Sequence, residues 1–134
     1  MAVQFSTAVR NARLDAIETT VSTSPKLRIR TGAAPANCAA ADSGTMLVEM
    51  ALPSDWLAAA ASGAKALAGT WSGTGAAAGT AAHFRIYDTA GTTCHLQGTV
   101  TATGGGGDMT LNNTSIAVDQ AVSVTTFTLT DGNA

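Results

Sequence analysis

The sequence has few charged side chains and no cluster of basic ones. Charged residues make up 12% of its 134 positions, about half the ~25% that is usual in soluble proteins. The net charge is −2, and no run of Lys and Arg occurs. Proteins that bind nucleic acids normally carry a basic patch or stripe. The sequence therefore predicts no nucleic-acid partner.

Long apolar runs are also missing. No segment approaches the ~20 consecutive apolar residues that a membrane-spanning helix needs, so we expect no membrane partner. The N-terminal segment lacks a cationic stretch followed by an apolar one, and no secretory signal is predicted.

Cysteine is scarce, and the two cysteines do not form a metal-binding motif. Cys38, Cys94, His83 and His95 could in principle supply four zinc ligands. However, no C-x-x-C pair occurs, and the adjacent residues Cys94 and His95 point to opposite faces of a strand. We therefore expect no metal and no cofactor. A disulfide between the two cysteines stays open, with two separate thiols as the simpler interpretation.

Candidate catalytic residues are few. A nucleophilic site would need Cys94 or a serine beside a histidine that has a carboxylate behind it. His83, Asp88 and His95 are of the right types, but the polar face of any hairpin could carry them. No G-x-S-x-G motif occurs, and the glycines of 73–79 lack the spacing of a dinucleotide-binding loop. The sequence predicts that the protein is not an enzyme, and a hydrolase using Cys94 or His83 is the alternative.

Most of the chain consists of short alternating segments rich in Ala, Thr and Gly. An apolar strand is predicted over 45–52, and a hairpin over 83–88 and 93–101. The last strand is predicted over 121–130, where a change of apolar parity at Thr125 and Thr126 indicates a β-bulge. Six or seven such strands predict a mainly β fold, an antiparallel β-sandwich of jelly-roll or Ig-like type.

The N-terminal segment differs from the rest because it has helical periodicity. With Ser6 as N-cap and 100° per residue, a helix to Val21 has two apolar faces. One face carries Phe5, Val9, Ala12 and Ala16, and the other carries Leu14, Ile17 and Val21. A helix needs one such face to dock on its own domain, so the second predicts a partner. The alternative is a groove that covers both faces. We therefore predict a helical arm over 1–22 and a β-sandwich domain over 23–134.

The two tryptophans allow two interpretations. Trp56 follows Ser54, which could cap a short helical turn, and Trp71 lies in a segment of small residues. Together with Tyr87 they could form a small platform for glycans. Packing in a core or an interface is the simpler interpretation for both indoles.

Five segments resemble small structural proteins of tailed bacteriophages. They are STAVRNARLDAIETTV at 6–21, KLRIRTGAAPANCAAADSG at 26–44, LPSDWLAAAASG at 52–63, HFRIYDTAGTTCHLQGTV at 83–100 and DMTLNNTSIAVDQAVSVTTFTLT at 108–130. The resemblance implies a virion protein that is made in the host cytoplasm. It identifies no catalytic residues in this sequence.

Small β-sandwich proteins of this group often serve as capsid cement or decoration proteins. The resemblance therefore implies a location on the capsid surface, the major capsid protein as partner, and self-association as a dimer or trimer. A tail- or fibre-associated protein, with possible binding of host glycans, is the alternative.

Overall fold

The computed structural model describes residues 2–133, and in that range one helix precedes ten strands. The helix is α1 (Thr7–Val21). The strands are β1 (Lys26–Arg30), β2 (Met46–Ala51), β3 (Ala64–Ala66), β4 (Ser72–Thr74), β5 (Gly79–Thr80), β6 (His83–Tyr87), β7 (Cys94–Ala102), β8 (Met109–Leu111), β9 (Ser115–Ile116) and β10 (Ala121–Thr130). The prediction of a mainly β fold with one N-terminal helix is confirmed.

Eight of these strands form one curled sheet. Its order is β2-β1-β6-β7-β8-β10-β3, with β4 also paired to β10, while β5 and β9 form a separate two-stranded ribbon. The two ends of the sheet approach each other, because the Ala76 amide donates to the Leu47 carbonyl at 2.7 Å and Val48 forms a bridge with Gly75. The curled sheet therefore wraps around a single core.

The sheet is mixed, whereas the sequence predicted a wholly antiparallel one. β7 and β8 run parallel, with Val100 opposite Met109. The glycine-rich connection makes this possible by folding back onto β7, and Gly104 and Gly106 adopt φ of 86° and 81°. A Cβ on Gly105 would lie 2.7 Å from the Thr101 Cβ, so only glycine permits this approach.

The aromatic side chains form the centre of the core. Trp56 packs on Trp71 at 5.9 Å between ring centroids, and Trp71 packs on Phe127 at 5.4 Å. Phe84 meets Phe127 edge to face at 5.6 Å. Both indoles are fully buried. The core interpretation of the tryptophans is therefore confirmed, and a glycan platform built on them is wrong.

Several local predictions are confirmed and others are corrected. β6 and β7 form the predicted antiparallel hairpin, and the pairing of β10 with β8 shifts register between Val124 and Thr126, where the bulge was expected. No helical turn follows Ser54, because the chain bends there to bury Trp56. The sequence missed β3, β4 and β5, since Ala, Gly and Ser give almost no strand pattern.

Candidate functional site

The helix α1 docks on the sheet through one of its two apolar faces. It begins at Ser6, whose hydroxyl accepts the Val9 amide at 3.3 Å, as predicted for an N-cap. Leu14 and Val21 are buried, and Ile17 packs against the core. The predicted contact of Leu14 and Val21 with a partner is therefore wrong, because the protein's own core covers both side chains, whereas Ile17 is only half-buried.

The two carboxylates of α1 pair with a buried lysine of the sheet. Lys65 of β3 is only 2% exposed, and its ammonium meets Asp15 Oδ1 at 2.7 Å and Glu18 Oε2 at 2.8 Å. Burial by itself would lower the pKa of Lys65, but the hydrogen bonds to both carboxylates raise it. The hydrogen bond from Lys65 is in turn the largest of the effects that lower the pKa of Asp15. These ion pairs fix the rotation of the helix on the sheet.

The start of the helix is tied to the end of the chain. The Phe5 amide donates to Asn133 Oδ1 at 2.7 Å, and Asn133 Nδ2 donates back to the Phe5 carbonyl at 2.9 Å. Arg10 donates to the Asp131 carbonyl at 3.0 Å, and Arg13 pairs with the Asp131 carboxylate at 3.1 Å. The helix of the predicted arm is therefore packed along the sheet and held at its beginning.

The opposite side of α1 is apolar and open to solvent. We call Phe5, Val9, Ala12 and Ala16 the outer face. Phe5 is 41% and Val9 43% exposed, and both alanines are exposed. The guanidinium of Arg13 lies 4.9 Å from the centroid of the Phe5 ring. A helix on a protein surface normally turns polar side chains to water, whereas α1 has a second apolar side that is exposed.

A shallow groove of about 260 Å³ continues the outer face towards β7. Ala16, Ile17 and Thr20 line one side, and His95 and Leu96 line the other. The outer face and this groove together form the candidate binding site.

A second polar centre lies on β6 under the segment 32–44. Arg85 is 1% exposed, and its Nη1 contacts Asp42 Oδ1 at 2.5 Å. Its Nη2 donates to the carbonyls of Cys38 at 2.8 Å and Ala40 at 3.1 Å. Its Nε donates to Cys94 Sγ at 3.3 Å. Arg85 thus joins the 32–44 segment to the hairpin.

Asp42 neutralises several cations at this centre. It accepts the Tyr87 hydroxyl, and Arg30 Nη1 lies 3.3 Å from its Oδ2. Burial by itself would raise the pKa of Asp42, but the Tyr87 bond and the charges of Arg30 and Arg85 lower it. Burial is the main cause that raises the pKa of the Cys94 thiol to about 11.

The lowered carboxyl pKa values predict instability in acid. The pKa values of Asp15, Asp42 and Asp88 lie below the ordinary 3.8 in the folded protein, so their stabilisation is present above that pH and is lost as the pH falls below it. We expect the Tm, followed by circular dichroism, to fall steeply below about pH 4. Asp42→Asn should flatten this fall, and the exposed control Asp55→Asn should not. An equal slope in both variants would contradict this assignment.

The residues considered for catalysis are not assembled into one site. The buried His83 places Nδ1 2.7 Å from the Gly32 carbonyl, and Asp88 accepts the amide of Thr92 at 2.8 Å in the hairpin turn. Cys94 lines the cleft under Arg85, whereas His95 lines the groove beside α1. The expectation that these two neighbours face opposite ways is confirmed. Within residues 2–133, no three side chains from His, Cys, Asp and Glu are grouped to hold a metal ion.

The described part of the chain, 2–133, contains no helix with the length and apolar character needed to span a membrane. Comparison with known protein families, curated proteins and solved structures yields no match.

Proposed function

We propose that the protein is a structural component of a bacteriophage particle, a capsid decoration protein that docks on the major capsid protein through its outer face. The observation that carries the proposal is the exposed apolar side of a helix whose charged side chains are each paired with other residues of the same protein. The resemblance of the sequence to virion proteins supplies the identity of the partner. A location on the capsid surface and self-association as a dimer or trimer belong to the same proposal.

The attachment of α1 favours docking energetically. Its backbone is held by the Asn133 and Asp131 contacts, and its rotation is held by the Lys65 ion pairs. A surface that is already ordered loses little conformational entropy when it binds, so more of the contact energy is retained as affinity. Ala12 and Ala16 have short side chains, which let a partner approach the helix closely.

Val9→Glu should abolish binding to capsids. The new carboxylate would have to be buried in the contact, and the nearest cation, Arg13 one turn away, is already paired with Asp131, so affinity should fall by roughly 100-fold or more. The measurement is co-sedimentation with empty shells assembled from the major capsid protein.

Val118→Glu is the matched control, because Val118 is 57% exposed and belongs to the turn between β9 and β10 rather than to the helix. Both variants should keep the wild-type Tm, since neither site is buried. Wild-type co-sedimentation of Val9→Glu would contradict the docking proposal. Binding to purified tails in a few copies, with none to shells, would support the tail- or fibre-associated alternative instead.

A further inference from the structure

The 32–44 segment has no regular secondary structure and lies over the outer side of β6 and β7. Polar side chains of both strands hold its backbone. His83 Nδ1 lies 2.7 Å from the Gly32 carbonyl, and Gln97 Nε2 donates to the Pro35 carbonyl at 2.7 Å. Arg85 Nη2 donates to the Cys38 carbonyl at 2.8 Å. The segment is therefore attached by hydrogen bonds from side chains rather than by a strand ladder.

The two cysteines meet at this attachment. Cys38 lies in the segment and Cys94 is the first residue of β7, and Arg85 binds the backbone of the first and the sulfur of the second. The two thiols interact closely enough for Cys38 to contribute to the raised pKa of Cys94, and they are not joined covalently. Both are half-buried and line one open cleft of about 390 Å³, so a small reagent can reach them.

We propose that Cys38 and Cys94 are a redox pair, which a small-molecule disulfide such as oxidised glutathione converts into an intramolecular disulfide. In the first step the thiolate of one cysteine attacks a sulfur of oxidised glutathione and displaces one glutathione thiolate. In the second step the other cysteine attacks the protein sulfur of this mixed disulfide and displaces the second glutathione thiolate. The two protein thiols lose two electrons and two protons, and oxidised glutathione becomes two molecules of the thiol.

The surroundings of the pair determine its behaviour. The thiolate is the nucleophile, and burial keeps Cys94 largely protonated near neutral pH, with a pKa of about 11. The disulfide therefore forms slowly at neutral pH and faster as the pH rises. In a reducing compartment the pair stays as thiols, and in oxidising surroundings it closes. Closure makes the attachment of the 32–44 segment to the hairpin covalent.

The test uses the full chain, incubated with oxidised glutathione and analysed by intact mass. We expect the wild type to lose the mass of two hydrogens and to retain no glutathione. Tryptic digestion without reduction should then yield the peptide 31–65 linked to the peptide 86–134. The oxidised protein should melt roughly 5–15 °C above the reduced one, because the cross-link restricts the unfolded chain.

Cys38→Ser and Cys94→Ser are the matched variants. Each should keep one glutathione, because the second thiol needed to release it is missing. A wild type that keeps both thiols, retains two glutathione adducts or forms disulfide-linked dimers would overturn the proposal. The wild-type masses and melting curves decide the question even where a serine variant fails to fold.

Discussion

A chain that lacks residues 1–22 is expected not to fold cooperatively. The helix buries Leu14 and Val21 and covers part of the core with Ile17. Each fully buried aliphatic side chain contributes about 1.5–3 kcal/mol, so the loss reaches about 5 kcal/mol before the newly exposed surface beneath is counted. Domains of this kind are stable by only about 5–15 kcal/mol. Thermal unfolding followed by circular dichroism should show no sharp transition for the fragment 23–134.

Two point variants on the same helix give this prediction an internal control. Leu14→Ala should lower the free energy of unfolding by about 2–5 kcal/mol, because it leaves a cavity in the core. Val9→Ala, on the outer face, should change it by less than about 0.5 kcal/mol. A wild-type transition in the truncated fragment would show that the helix is a separable arm, as the sequence suggested.

Asp42→Ala is expected to be the most damaging change of a single charged residue. It leaves the buried guanidinium of Arg85 without its carboxylate and also removes the acceptor of the Tyr87 hydroxyl. Breaking a fully buried pair costs about 3–5 kcal/mol. About a third of the Asp42 side chain is open to solvent, so we expect about 2–4 kcal/mol, measured by urea denaturation.

A double-mutant cycle separates the charge effect from lost packing. Arg85→Met removes the cation but keeps a long apolar side chain, so adding Asp42→Ala to it should cost much less than Asp42→Ala alone. Asp55→Ala, at an exposed aspartate outside the cluster, should stay within about 0.5 kcal/mol of wild type. Additive effects of Asp42→Ala and Arg85→Met would mean that the pair does not hold the 32–44 segment.

The candidate site was only half predictable from sequence. The 100° periodicity correctly separates the Val9 side of the helix from the Leu14 side, but it does not tell which side faces the core. The larger side chains of Leu14, Ile17 and Val21 remove more apolar surface from water than alanines do, so this face docks inward. Lys65 also contributes to the orientation of the helix, because it pairs with Asp15 and Glu18. It lies in a run of small residues, and nothing in the sequence around it predicts this pairing.

The Arg85 centre was missed for a similar reason. Arg85 alternates with Phe84 and Ile86, which is the pattern of a solvated strand face. The 32–44 segment covers that face, and its carbonyls and Asp42 supply the partners that make a buried guanidinium stable. The length of the 32–44 segment was the one indication in the sequence, because a loop this long between β1 and β2 has to cover a neighbouring surface.

The sequence by itself determined the elements whose local pattern is strong: the helix from its Ser6 cap, the hairpin of β6 and β7, and the bulge and bounds of β10. The alternation of apolar residues in a strand and the capping of a helix depend on residues that are close along the chain, so the sequence alone predicts them. Only the tertiary structure decided the parallel pairing of β7 with β8, the closure of the sheet near Gly75, the inward face of α1 and the meeting of Cys38 with Cys94. Except for the pairing of β7 with β8, which are neighbours along the chain, these features join residues far apart in sequence, and they depend on the burial of one shared core.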